Sequence, residues 1–360
     1  MRFSADGKNA WLKLVHEDGF IRHYCNPCGA VTTRATHSFP NLAQIPAVRK
    51  KKARVSALTD PARGYEGIVL PNAWFKGGPV LVTPHALESA AKKFGVEAVT
   101  WRDLPDDAEV EVVLLGLKGG WGYECRSLFI VPEGFVLVGS DLAGIELRCL
   151  AHRMAAYDGG KYGKVLLEGD IHSENQRLAG LDMRDTAKTF IYAFLYGAGD
   201  EKIGKIVAPL ATPAKQRKIG KELKAKFLRN LPALNRVIRE TQKQARRQYL
   251  LGLDGRRLFV RSKHAALNTD LQGMGATIAN WWIVFAMEFL EEEGLEYGWN
   301  KDFTFCVWCH DELQIACREG LEELVKEILI DAAAEAGRYL GFKLPVDVSV
   351  SHGYGWHETH

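Results

Sequence analysis

Apolar and polar positions along this 360-residue chain change period several times, and each change predicts an element. The first 48 residues keep no period and include the polar, turn-rich stretch "GAVTTRATHSFPNLAQIPAVR". Next, "KKARVSALTDPARGYEGIVLPNAWFKGGP" is rich in glycine, proline and basic residues, and leads into "VLVTPHALESAAKKFGVEAVTW" and "DAEVEVVLLGLKGGW". That succession predicts short strands around one helix, with the two GG pairs as linkers. The segment "FVLVGSDLAGIELRCLAHRMA" then passes from an apolar strand into an apolar helix, with Asp141 at the strand end.

From about residue 154 to 267 the pattern is helical and basic, and Asp170 and Asp182 stand where helix N-caps belong. A long apolar helix starts near His264. "FTFCVWCHDELQIAC" reads as two alternating strands hinged at HDE, followed by a helix from about Gly320 to Ala336 and a last strand, "VDVSV". These elements predict an α+β fold in five segments: 1–49, an inserted small α/β module at 50–120, then 121–153, 154–267 and 268–360.

Composition narrows the class. The length and the ordinary mixture of apolar and charged residues suit a globular protein with two or three subdomains. A net charge of +3 does not by itself mark a nucleic-acid binder, so any electrostatic footprint is local, as in Arg49 to Lys52 and Lys215 to Lys226. The N-terminus lacks an apolar signal region, and the longest apolar run, "WWIVFAMEFL", is far shorter than the roughly 20 residues that span a bilayer. A reducing cytoplasm and no membrane association are therefore expected. Seven cysteines do not suggest a disulfide framework. Two CxxC pairs, Cys25/Cys28 and Cys306/Cys309, raise structural zinc, but an offset of three along a strand puts Cys306 and Cys309 on opposite faces, so no structural zinc is expected.

"RDTAKTFIYAFLYGAG" carries Arg184, Lys188, Tyr192 and Tyr196 four apart, one winding stripe of two cations and two aromatics on a helix. Taken alone it fits a solvated basic edge as well as a binding face. Asp141 and the Asp311-Glu312 pair, each at a strand end, are singly explained as turn residues. Together, two aspartates on adjoining strands opposite an Arg/Lys helix have the layout of in-line nucleotidyl transfer: hard oxygen ligands for divalent metals facing cations for a triphosphate.

On these residues the chain resembles family A DNA polymerases, and among them the replicative enzymes of short-tailed lytic phages. "SDLAGIELRCLAH" is similar to motif A, "RDTAKTFIYAFLYGAGDEKIG" to motif B and "VWCHDELQIA" to motif C. "GAVTTRATHSFPNLAQIP" resembles the primer-template segment, "GDIHSENQ" the helix before motif B, and "GLDGRRLFVRSKHAALNTDLQGMGA" the return to the palm. The resemblance covers most of residues 7 to 48 and 121 to 317. It implies a right-hand polymerase palm with helical fingers and template-directed addition of dNTPs to a primer 3′-hydroxyl.

Residue by residue, the resemblance implies that Asp141, Asp311 and the backbone carbonyl of Leu142 bind two Mg²⁺ ions, with Glu312 a supporting carboxylate. His172, Arg184 and Lys188 would contact the triphosphate, Lys188 also serving as general acid for pyrophosphate. Tyr192 would stack near the incoming sugar and base, and Tyr196 would occupy the template-base position until the fingers close. Glu146, in the position of the steric gate, would exclude a ribose 2′-hydroxyl. Arg34, Gln272 and His310 would contact primer terminus and minor groove. Threonine at position 33 replaces the family's usual glycine; if that position needs positive φ, it strains the loop before Arg34.

Neither thumb nor exonuclease sequence precedes "NAWLKLVHEDG", so a split polymerase is expected, with a second polypeptide supplying both, acting in the cytoplasm of an infected bacterial host. The competing readings are a truncated or non-catalytic polymerase-like subunit and a relative of single-subunit RNA polymerases.

Overall fold

The computed structural model describes residues 10–359; the first nine residues, where the resemblance begins, and His360 lie outside the described residues. An N-terminal hairpin pairs β1 (Tyr24–Asn26) with β2 (Thr36–Ser38). β3 (Lys50–Arg54), β4 (Leu58–Thr59), β5 (Ala73–Phe75), β6 (Gly78–Leu81), α1 (Pro84–Phe94) and β7 (Glu109–Leu114) form a separate unit. Short helices α2 (Gly116–Gly119) and α3 (Gly122–Arg126) lead to β8 (Phe135–Leu142). A helical stretch follows: α4 (Ile145–Asp158), α5 (Lys161–Glu168), α6 (Ile171–Ala179), α7 (Arg184–Leu195), α8 (Asp200–Val207), α9 (Pro213–Asn230) and α10 (Pro232–Gln244). The hairpin β9 (Tyr249–Leu251) and β10 (Arg257–Phe259) precedes α11 (Ala266–Glu292), β11 (Phe303–Cys309), β12 (Glu312–Arg318), α12 (Glu322–Tyr339) and β13 (Val348–Gly353). The whole is an α+β fold.

The sheet that carries the acidic residues runs β11-β12-β8-β13, antiparallel throughout. Its faces sort by alternation. On β8 and β12, Val138, Leu142, Leu313, Ile315 and Cys317 join one large core with α4, α11, α12 and the helices from α5 to α10. Phe135, Leu137 and Ala316 point the other way, into a smaller cluster with Trp11 and Trp356. Asp141 and Glu312 are register partners, so both lie on this second face, away from the helical core. α11 is apolar on most sides because it is enclosed; Trp282 is fully buried and donates its indole N–H to the Leu329 carbonyl at 2.9 Å. Among the described residues no helix is long and apolar enough to cross a membrane.

The unit between residues 50 and 114 has strand order β3-β7-β6-β5-β4, also antiparallel, with α1 packed on it over its own core. Thr83 caps α1 by accepting the Ala86 N–H, Pro84 opens it and left-handed Gly95 closes it. The GG pairs do not behave as linkers. Gly77 and Gly78 belong to the tight β5–β6 turn, with Lys76 and Gly77 both at positive φ. Gly119 packs against the backbone of Leu114, where a Cβ would meet the carbonyl oxygen at 1.9 Å.

Two further expectations are corrected. Met183, not Asp182, is the N-cap of α7 and makes no side-chain cap; Asp182 offers its carbonyl to Gln176 Nε2 instead. A bulge between Phe305 and Val307 breaks the alternation of β11, so Cys306 and Cys309 both pack against the Trp11/Trp356 cluster rather than on opposite faces. Burial pushes both thiols up to about 12, which keeps them protonated.

Candidate active site

The acidic centre forms where β8 ends beside the β11–β12 turn. That turn has two central residues, His310 and Asp311, between the paired Cys309 and Glu312. Only the first, His310, has positive φ, at 64°. The Leu142 N–H donates to the Asp311 carbonyl at 3.0 Å, which pins the turn to the end of β8. The Leu142 side chain is buried in the core, so only its backbone faces this region. Asp141 and Asp311 are half-buried. Burial, then the negative charge of Asp311, pushes the Asp141 carboxyl up to about 7; burial and Glu146 push Asp311 up to about 6. Converging, partly dehydrated carboxylates of this kind are stabilised as anions by a cation between them.

Glu312 faces the same side but is held from behind. Its Oε1 accepts from Arg126 at 3.2 Å, from Gln314 Nε2 at 3.0 Å and from the Trp356 indole N–H. Arg126 stacks over the Trp356 ring at 4.3 Å and donates to the Pro46 carbonyl. Thr359 donates to Gln314 Oε1 at 2.7 Å. The C-terminal tail thereby clamps the floor of the site. No local sequence signal marks this network, whose partners stand up to 186 residues apart.

α7 exposes Arg184 and Lys188 while Ala187, Phe190, Ile191, Phe194 and Leu195 are buried. His172 lies in the first turn of α6, where Asp170 Oδ1 accepts its backbone N–H at 3.0 Å. The His172 ring lies 6.1 Å from that of Tyr192, and its Nδ1 is buried with no partner among the described residues. Burial, then the charges of Arg184 and Lys188, lowers its pKa, opposed by Asp170. Arg184 is engaged: it forms a two-pronged ion pair with Asp170, Nε to Oδ2 at 2.5 Å and Nη2 to Oδ1 at 3.0 Å. Tyr192 is half-buried and feels both Glu146 and Asp311, which raise its pKa after burial does. His172, Arg184, Lys188 and Tyr192 thus form one group beside the acidic centre.

Glu146, in the first turn of α4, ties three segments together. Its Oε1 accepts from the Tyr196 hydroxyl at 2.8 Å and lies 3.5 Å from Arg34 Nη2. Tyr196 is the C-cap of α7, half exposed. Thr33 does adopt positive φ, 58°, and its hydroxyl oxygen is buried without a partner among the described residues. His310 sits edge-on to His37 at 6.4 Å, and His37 lies 5.6 Å from His23; this column of histidines was not legible from the sequence. Gln272 is half-buried on α11, three residues before Gly275, which packs against Ile145 beside Glu146.

Among the described residues no three His, Cys, Asp or Glu side chains are grouped to hold a metal. Asp141 and Asp311 offer hard carboxylate oxygen, a donor type that suits Mg²⁺.

Relatives are "DNA-directed DNA polymerase" of Enterobacteria phage T3, 41% identical over 99% of this chain and 44% of the relative, and the protein of the same name from Escherichia phage T7, 40% identical over the same shares. The chain therefore spans less than half the length of these relatives. In shape it is similar to the POL domain of Pol1 from M. smegmatis, solved in complex with DNA primer-template and dNTP, with a TM-score of 0.66 at 19% identity over 97% of this chain and 50% of that one. The family model for DNA polymerase family A matches residues 115–358, and with these phage relatives it shows that the chain belongs to DNA polymerase family A.

Proposed function

We propose that this chain is the catalytic palm and fingers of a replicative DNA polymerase, adding dNTPs to a primer 3′-hydroxyl under the direction of a template. The observation that carries the reading is a pair of carboxylates with raised pKa, Asp141 and Asp311, beside α7, whose Tyr192 feels the charge of Asp311 and which also bears Arg184 and Lys188. Asp141, Asp311 and the Leu142 carbonyl would hold Mg²⁺. When bound, two Mg²⁺ ions supply Lewis acidity toward the attacking hydroxyl and the leaving pyrophosphate.

The chain's own residues do the rest. Lys188, exposed and with no ion pair among the described residues, binds phosphate oxygens and donates a proton to the departing pyrophosphate. Arg184 exchanges Asp170 for the triphosphate, a carboxylate for a phosphate in the same two-pronged geometry. His172 offers a ring nitrogen to the same phosphates. Tyr192 packs on the sugar and base, Glu146 closes the space beside the 2′ carbon, and Arg34, Gln272 and His310 meet the primer terminus in the minor groove. Tyr196 holds the template-base position until the fingers close. Glu312 is a support, because Arg126 and Trp356 occupy its oxygen.

The duplex grip and 3′-5′ exonuclease that accompany such a centre we assign to a second polypeptide, the two acting together in the cytoplasm of an infected bacterium. Primer extension with Mg²⁺ and dNTPs, by this chain with and without the polypeptide encoded beside it, tests the reading. Templated extension that strengthens with the neighbour is expected; absence of templated extension in both mixtures contradicts it.

A further inference from the structure

The hairpin β9–β10 has two unlike faces. Leu250 and Leu258 point inward, into a small cluster with Ala245, Val260 and Ala266, and Leu258 rests on Gly273 of α11, where a Cβ would come within 2.3 Å. The other face is largely exposed, with Tyr249 half-buried. Tyr249 and Phe259 are cross-strand partners on it, as are Leu251 and Arg257. Phe259 and Leu251 are each 55% exposed, and the Arg257 guanidinium lies 4.8 Å from the centre of the Tyr249 ring.

At the open end of this hairpin, a cleft of about 290 Å³ is lined by Arg239, Gln242, Lys243, Arg246 and Lys263, with no acidic side chain among the lining residues. The hairpin lies between the N-terminal segment and the end of α7. Near its tip, Arg256 contacts Cys28 Sγ of the N-terminal segment at 3.8 Å. Beyond its open end, the His264 carbonyl stands 3.5 Å from where a Cβ of Gly197 would be, just after Tyr196.

We propose that this outer face is a stacking platform for single-stranded DNA, the unpaired template ahead of the site. Bases offer flat apolar rings for Tyr249 and Phe259, and phosphates offer charge for Arg257 and the Lys243/Lys263 cleft; an aromatic pair interleaved with cations matches that ligand. The proposal rests on the polymerase reading for its substrate, but its binding is measured separately. Fluorescence anisotropy of labelled oligo(dT), and extension of primer-templates with either a long unpaired 5′ overhang or a single template base, separate the two.

The variant Tyr249→Ala/Phe259→Ala is expected to bind oligo(dT) about 10- to 100-fold more weakly. It should lose extension efficiency on the long overhang and keep it on the single-base template. Tyr249→Leu/Phe259→Leu, which keeps apolar area without rings, should lose binding likewise. Lys243→Ala/Lys263→Ala is expected to flatten the salt dependence of binding, by about 0.7 in slope for each phosphate that is no longer neutralised. Equal oligo(dT) affinity in wild type and both aromatic variants overturns the platform. So does release of bound polyglutamate, but not of oligo(dT), by the lysine variant. A binding loss in the variants with no extension by wild type on either template, with or without the neighbouring polypeptide, supports the platform and sinks the polymerase reading.

Discussion

The Tyr196 hydroxyl donates to Glu146 Oε1 at 2.8 Å, which ties the end of α7 to the first turn of α4. Glu146 raises the Tyr196 pKa, after burial, to about 12, so the phenol stays a donor across the working range. In the proposed reading, one carboxylate both shapes the sugar pocket and holds the aromatic ring. Glu146→Ala removes the crowding group and is expected to raise rNTP incorporation relative to dNTP by about 10- to 200-fold, the range over which pocket size discriminates. Tyr196→Phe leaves Glu146 in place and should preserve the preference. Single-nucleotide incorporation ratios check both; an unchanged ratio in Glu146→Ala would show that the gate lies elsewhere.

Thr33 holds a left-handed backbone with a β-branched side chain and an unpaired buried hydroxyl, two unfavourable features in one residue. Thr33→Gly is expected to stabilise the chain by about 1 kcal/mol, read as a higher urea midpoint. A lower midpoint would mean that the side chain contributes packing that outweighs the strain.

Arg126 and Glu312 form a buried ion pair, with side chains 5% and 6% exposed. Removing one partner strands the other, so Arg126→Met should cost about 3–5 kcal/mol. Glu312→Gln keeps an acceptor for the Trp356 indole and should cost less while retaining most activity. Equal stability of Arg126→Met and wild type would show that the pair does not clamp the floor of the site.

His152 is held neutral: burial, then Arg153 and Lys343, lowers its pKa from 6.5 to about 4. Its Nδ1 accepts the Lys343 N–H at 3.2 Å, and its ring stacks on Phe342. Between pH 6.5 and about 4 the unfolded chain binds a proton here that the native state refuses, so this residue's contribution falls as the pH falls through that window. His152→Gln removes the titration, and the stability gap between wild type and variant should narrow from pH 7 to pH 4. A gap independent of pH would show that the imidazole titrates normally.

What is encoded locally was legible in the sequence. β8 is a run of apolar residues ending in an acid, the HDE turn sits between alternating strands, and α7 shows its stripe at a spacing of four, so all three elements are readable from periodicity and motif. Long-range partnerships were not. Nothing near Glu312 announces Arg126 or Trp356, nothing near Arg184 announces that Asp170, read as a cap, also holds its guanidinium, and the histidine column depends on hairpin pairing. The bulge in β11 defeated the inference from strand alternation because one extra residue reverses every side chain beyond it.

The most direct test of the central claim is single-turnover addition of one dNTP to a labelled primer-template in Mg²⁺, comparing wild type with Asp141→Ala and Asp311→Asn in the same assembled complex. Wild type is expected to add the nucleotide complementary to the template, and either variant to lose the rate by about a thousandfold or more, as happens when a group that holds the reacting centre is removed. A rate unchanged in both variants, or addition indifferent to the template base, would contradict the assignment of this centre to templated nucleotidyl transfer.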